Sequence, residues 1–386
     1  MKLFISIIVL HSCLASFVYA QAKLPNLTVE ISYIIQDTDE YLLDSPISIS
    51  MYADGRYAIA EQRHAKVFVF SSDHRLEQEI GRRGNGPGEF QIISHVALLG
   101  GRLVVFDRQL MRVSLFDAAN GKLLLTRSYR DFFNANLQPL HVSVIQFNGK
   151  PFLSVATARY TYSGAEADLD FVRWYDSELN RNNNENYHIK LDYNRLFESN
   201  KQALKANFFS PINNLSTFYS NNIFLVIPHI YEGKLQGISV PTNEYIDYVE
   251  PFRLITKPPY REFDSREAMQ RDVERNNFRY KYISQSGSNG TIRIRIESYS
   301  LGIVRKDGKL FHIVGLETAT GYQYKYSRYN AMTMAFEGTG DVVFESPSTA
   351  GGTNPMIHQV FPSIRDGSFV AAVLVERERY WVVYQY

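Results

Sequence analysis

The sequence predicts an all-β fold: a six-bladed β-propeller of four-stranded antiparallel blades, with one or two helical insertions between blades and the ring closed by its own N-terminal strand. Three observations carry that prediction. Two adjacent segments repeat one plan of four short strand-like runs separated by turn residues, which is how propeller blades read in sequence. The aromatic content is dominated by 26 Tyr and 25 Phe against 2 Trp, side chains that suit pleated, half-buried surfaces. The last repeat is one strand short, and a spare strand-like segment precedes the first.

Residues 1–20, MKLFISIIVLHSCLASFVYA, carry one charge at Lys2, then an apolar run, then Val18 and Ala20 at a cleavage point. This is the layout of a secretory signal peptide cut after Ala20. The alternative is a lipoprotein signal, with Leu10-His11-Ser12-Cys13 presenting Cys13 for acylation. A transmembrane anchor is not expected, because His11 and Ser12 interrupt a run already short of the roughly 20 apolar residues a span needs. Cys13 is the single cysteine, so residues 21–386 form one domain without disulfide or thiolate chemistry, stabilised by a large core. Loss of Lys2 takes the net charge from +1 to 0, which leaves no global field to recruit nucleic acid.

Residues 27–35, LTVEISYII, have strand composition and are expected to pair with the last blade as its outer strand. Such pairing removes the exposed edges of an open ring. The first blade spans 46–84, with turns at Ala-Asp-Gly, Gln-Arg-His and Ser-Asp-His. The second spans 90–130, and YAIAEQRHAKVFVF can be laid over LVVFDRQLMRVSLF. Further units follow at 138–190, 211–256, 291–345 and 355–386, the fifth starting with TIRIRIESYSLGIVR. Between blades, residues 261–282 open with Asp264 and carry Glu267 three positions on. That capping-box spacing predicts a surface helix. A second helical candidate lies at 195–209.

Residues 80–117, with Gly84, Gly86, Pro87, Gly88, Glu89 and Phe90 at a blade junction, Asp107 ending a second strand, and Arg112 and Val113 starting a third, resemble the NHL-type repeat. More specifically, they resemble the exported six-bladed β-propeller proteins of Bacteroidetes type. The motif is confined to this junction, and Glu61 stands where the repeat has Asp in the first blade. The resemblance implies the fold and a ligand-receiving face where second-strand hairpins and blade crossovers gather. It also implies relatives that include calcium-dependent lactonases and an amidating lyase. On the residues alone, the glycines of GRRGNGPGEF supply turn conformations; no lysine follows in phosphate-loop spacing.

Candidate site residues fall in three sets. His95, His141 and His358 lie on the predicted innermost strands of three blades, where imidazoles lining a channel could hold a metal ion. His95 and His141 share parity and His358 does not, so a bulge is needed to bring all three together. Charged side chains at the second-strand hairpins form the second set: Glu61 with Arg63, Asp107 with Arg108, Glu376 with Arg377, and His229 and Glu317 at comparable places. Turn capping is their alternative role. Tyr160, Tyr162, Phe132, Phe133 and Tyr231 form a third set of loop aromatics suited to recognition or to core packing. No metalloprotease, nucleophile-elbow or Walker motif is present.

The expected function is therefore that of an extracytoplasmic, non-catalytic propeller, monomeric and free of cofactors, that binds a protein, peptide or glycan through one face. The alternative is a metal-dependent hydrolase or lyase using calcium or zinc at the channel mouth.

Overall fold

Six blades of four strands succeed one another around the ring: the first four are separate sheets, each hydrogen-bonded as a simple meander, and the fifth and sixth are joined by the N-terminal strand into one eight-stranded sheet. The computed structural model describes residues 23–36, 43, 46–133, 137–159, 169–181, 189–190, 215–228, 234–240, 242, 244–250, 252, 260–262, 265, 267–268, 271, 285–287, 290–294, 298–318, 321–347, 355–361, 363, 365–375 and 378–386. The signal segment and the helix candidate at 195–209 lie outside the described residues.

After β1 (Leu27–Ile35), the first blade comprises β2 (Pro46–Met51), β3 (Tyr57–Glu61), β4 (Lys66–Phe70) and β5 (Leu76–Ile80). The second comprises β6 (Ile93–Leu99), β7 (Arg102–Asp107), β8 (Arg112–Asp117) and β9 (Leu123–Ser128), followed by the short helix α1 (Tyr129–Phe133). The third has β10 (Leu137–Phe147), β11 (Lys150–Arg159), β12 (Leu169–Tyr175) and the two-residue β13 (Ile189–Lys190). The fourth has β14 (Leu215–Ser220), β15 (Ile223–Pro228), β16 (Lys234–Ser239) and β17 (Tyr245–Val249). An inserted three-stranded sheet follows, made of β18 (Tyr260–Glu262), β19 (Gln285–Gly287) and β20 (Gly290–Ile294). The fifth blade contains β21 (Ser298–Lys306), β22 (Lys309–Thr318), β23 (Gly321–Asn330) and β24 (Phe336–Phe344). The sixth contains β25 (Met356–Val360), β26 (Ser368–Val375) and β27 (Glu378–Gln385).

The sixth blade borrows its outer strand from the other end of the chain, as the strand count required. Glu30 to Ile35 of β1 pair antiparallel with β27. The strand also does something the sequence did not announce: Leu27 to Val29 pair in parallel with Val342 to Phe344 of β24, the outer strand of the fifth blade. One nine-residue strand therefore bonds to two blades.

Middle strands are apolar on both faces because each blade is packed between neighbours; β3 is buried throughout as YAIAE. Outer strands meet solvent on one face and alternate, as LLLTRS does along β9. The apolar side chains assemble between blades. Ile59, Phe68 and Phe70 pack on Phe361 and Trp381 across the sixth and first blades, and Ala60, Val67 and Val69 pack on Leu98 and Val105 across the first and second.

Two expectations need correction. The TIRIRI segment is a strand, but Gly290–Ile294 belongs to the inserted sheet and not to the fifth blade, whose first strand begins at Ser298. Within 261–282, Arg261 and Glu262 are the end of a strand, and the first helical turn is capped by Ser265, whose Oγ accepts the Ala268 amide at 3.1 Å. Asp264 and most of that helical segment lie outside the described residues.

Candidate functional site

The hairpin carboxylates are turned inward. Glu61 is fully buried at the end of β3, and its oxygens accept the backbone amides of Arg63 at 2.9 Å and His64 at 2.6 Å, with His64 Nδ1 at 3.0 Å. Asp107 occupies the matching place at the end of β7. It accepts the amides of Gln109 and Leu110 at 2.9 Å and, from the preceding crossover, those of Gln91 at 2.7 Å and Ile92 at 3.3 Å. A carboxylate here satisfies donors that a tight turn would otherwise leave unpaired in the interior. Asp107 thereby ties the second-blade hairpin to the crossover that enters its own blade. Arg63 and Arg108 extend into solvent beside these turns. His229, Glu376 and Arg377 lie outside the described residues.

The glycine-rich junction is built for packing. Gly81 has φ +88°, and a Cβ there would sit 2.2 Å from the Phe90 ring, so only glycine lets that buried ring close the junction. The Arg112 guanidinium then donates to the carbonyls of Asn85, Gly86 and Glu89, while Glu89 accepts the Gly86 amide at 2.8 Å. The chain continues into a strand, not a helix. Phe132 and Phe133 are likewise core: both are buried in α1, and Phe132 stacks on Tyr175 at 4.2 Å.

Five innermost strands, β2, β6, β10, β21 and β25, each carry one bulge. His95 and His141 occupy the same place, immediately after it, opposite Phe106 and Ala156. His358 is itself the bulged residue, and Gln359 takes the place equivalent to the other two histidines. The side chain of His358 lies outside the described residues. Nε2 of His141 is sealed from solvent with no hydrogen-bond partner among the described residues. Burial, helped by the nearby His95, pulls the His141 imidazole down to about 3 from an ordinary 6.5.

That depression has a sign. Between about 6.5 and 3 the unfolded chain takes up a proton at this histidine that the folded chain refuses. Stability contributed by neutral His141 is complete above pH 6.5 and is lost as the pH falls toward 3. His141→Gln is therefore expected to flatten the acid limb of a stability-versus-pH curve measured by urea unfolding. An identical slope in both proteins would refute this assignment.

A polar constellation that sequence reasoning missed lies between the fourth and fifth blades. Glu250, just past β17, faces His312 Nδ1 with both oxygens, at 2.9 and 3.0 Å, and accepts the Tyr329 hydroxyl at 2.7 Å. His312 Nε2 lies 2.7 Å from Ser300 Oγ. The atoms follow the order of a serine, histidine and acid relay. Ser300 is only 4% exposed, however, and His312 only 1%, so within this seam the chain of bonds acts as a buried tie. Burial and the adjacent Glu250 carboxylate drive the Tyr329 hydroxyl far above the usual tyrosine range, so it stays a donor. The available signal was His312 itself, a polar residue in the otherwise apolar run LFHIV.

Six four-stranded blades and a ring-closing terminal strand define a six-bladed β-propeller. The chain belongs to the family described as 6-bladed beta-propeller, whose model matches residues 18–331. No curated protein matches it. It is similar to a solved member of the DUF4221 family from Bacteroides vulgatus, with a TM-score of 0.53 at 8% identity over 92% of this chain and 98% of that one. A Bacteroides fragilis protein described as exported gives 0.49 at 11% identity over 94% and 98%. Virginiamycin B lyase from Staphylococcus aureus gives 0.42 at 9% identity over 91% and 98%. The Bacteroides vulgatus likeness bears on the fold alone. Among the described residues no helix is long and apolar enough to cross a membrane.

Proposed function

We propose that this chain is an extracytoplasmic binding or scaffold propeller, non-catalytic and monomeric, which recognises a protein, peptide or glycan through one face. The observation that carries the reading is the commitment of Glu61 and Asp107 to backbone amides. Both stand on the face where a metal-dependent propeller enzyme would gather oxygen ligands. Calcium needs six or more oxygens. Carboxylates that already hold two to four N–H groups would have to release their own hairpins to supply them. The signal-peptide layout of residues 1–20 supports export to the periplasm or beyond, with acylation at Cys13 as the alternative route to the envelope.

The metal-dependent hydrolase or lyase remains the second reading. It is favoured by one observation, the unpartnered Nε2 of His141 on the channel strand beside His95. One experiment separates the two: elemental analysis of the purified protein, with thermal unfolding in EDTA and in added calcium or zinc. We expect no stoichiometric metal and a melting temperature unmoved by chelator or ion. A bound ion at one per chain, or a chelator-dependent fall in melting temperature, would sink the non-catalytic reading.

A further inference from the structure

A cleft of about 470 Å³ opens where β1 closes the ring. Its volume falls within the range of small-molecule pockets, roughly 300–1,000 Å³. It lies at the end of the blades opposite Glu61 and Asp107. Its walls come from the β4–β5 turn, the β25–β26 hairpin and the neighbouring edges of β1 and β27, and first-to-second and third-to-fourth hairpins share one end of a meander.

The walls are polar and held in place. Thr28, Glu30 and Ser32 are exposed along β1. Across from them, His74 sits in a tight turn at φ +66°, its ring stacked on Tyr33 with centroids 4.1 Å apart and planes 4° from parallel. The Tyr57 hydroxyl lies 3.3 Å from His74 Nδ1, which leaves Nε2 as the nitrogen on offer to the cleft. Arg365 is seated against Gly55, where an added Cβ would fall 2.3 Å from a guanidinium nitrogen; that glycine makes room for the arginine. The Tyr386 ring is fixed at the rim by its hydroxyl, which donates to the Arg305 carbonyl at 2.7 Å.

The charge of the cleft selects among ligands. Arg365 is a cation, Glu30 and Asp366 are anions, and burial together with Arg365 lowers the His74 pKa, which favours the neutral imidazole. The balance is one net negative charge, which disfavours phosphates and other anions. What the walls offer is a dense mixture of acceptors and donors: two carboxylates, the Gln385 amide, a guanidinium fork, an imidazole and hydroxyls. Vicinal hydroxyls, each both donor and acceptor, match such planar groups.

We propose that this closure cleft is a saccharide site that takes a neutral mono- or disaccharide. The inference rests on the binding reading and gives it a face and a ligand class. The test applies the folded protein to an array of immobilised neutral mono- and disaccharides, with phosphorylated and sialylated sugars and a peptide array as comparisons. Array ligands are then titrated by calorimetry up to about 10 mM. We expect binding of at least one neutral sugar, weakened tenfold or more by Glu30→Gln and by Asp366→Ala. Both positions are exposed, so the variants should melt as the parent does. Sugar binding that survives both substitutions overturns the site and leaves the binding reading intact. Preference for phosphorylated or sialylated sugars overturns the charge argument and with it the proposal. Binding to peptides alone overturns the saccharide class while keeping a binding propeller. Silence on every array overturns the saccharide site and narrows the binding reading to a folded protein partner.

Discussion

Glu250→Ala is expected to destabilise the ring by about 2–6 kcal/mol, the cost of leaving two buried donors unsatisfied at about 1–3 kcal/mol each. The Glu250 side chain has no exposure and His312 has 1%, so no water replaces what the carboxylate supplied. A carboxylate facing Nδ1 fixes the imidazole tautomer with its proton on that nitrogen, which frees Nε2 to accept from Ser300. Removing Glu250 strands the His312 proton and the Tyr329 hydroxyl together, inside a seam walled by Leu225, Leu235 and Leu310. Glu250→Gln keeps one acceptor but turns an amide donor toward a donor, and should cost about 1–3 kcal/mol. Because these groups act as one network, the losses in Glu250→Ala and His312→Leu should not add. The double variant should lie closer to the worse single variant than to their sum. Urea unfolding reads all three: the midpoint should fall with little change in slope. A Glu250→Ala loss below about 1 kcal/mol would show the seam to be wet, and the tie to be weaker than its distances suggest.

What could be read from sequence follows from how locally each feature is encoded. The segment 27–35 coincides with β1, and the first two blades match their predicted runs, because strand period, turn chemistry and apolar content all sit within a few residues. Gly290–Ile294 shows the limit. Its alternation marks a strand correctly, yet nothing within TIRIRI says that its partners are Tyr260–Glu262 and Gln285–Gly287 and not the fifth blade. The channel histidines show another. A bulge changes parity without changing composition, so His358 could not be placed relative to His141 until Ile357 and Gln359 were seen to flank a register shift.

The hairpin carboxylates were legible as positions but not as roles. Glu61 and Asp107 stand out in sequence because they end apolar strands. Whether such a residue faces solvent or its own turn depends on backbone geometry two and three residues later. Glu250 and His312 were not legible as a pair at all. They are 62 residues apart, one just past a strand and the other within one, and only blade packing brings them together.

Deleting residues 23–36 should abolish cooperative folding of the ring, and this is the largest effect the structure predicts. The segment does not merely decorate an edge. Val29 and Ile35 are buried, in the fifth-to-sixth and sixth-to-first seams respectively, so one strand contributes to two of the interblade cores. Burying those two side chains is worth about 1.5–3 kcal/mol each. Around them the Glu345 amide donates to the Val29 carbonyl at 2.9 Å, Glu345 accepts the Ile31 amide at 2.6 Å, and Tyr326 reaches the Pro25 carbonyl at 2.8 Å. Deletion also bares the long edges of β24 and β27, an invitation to strand exchange between molecules. The truncated protein is therefore expected to lose its sharp thermal transition and to associate, as read by calorimetry and size-exclusion chromatography. A synthetic peptide of residues 23–36 added in trans should restore the transition, since strand addition to a waiting edge uses the same main-chain bonds. Val29→Asp, which keeps every backbone bond but buries a charge, should fall between the two. A truncated protein that melts where the parent does would mean the ring is held by its blade seams alone, and that closure by β1 is incidental to its stability.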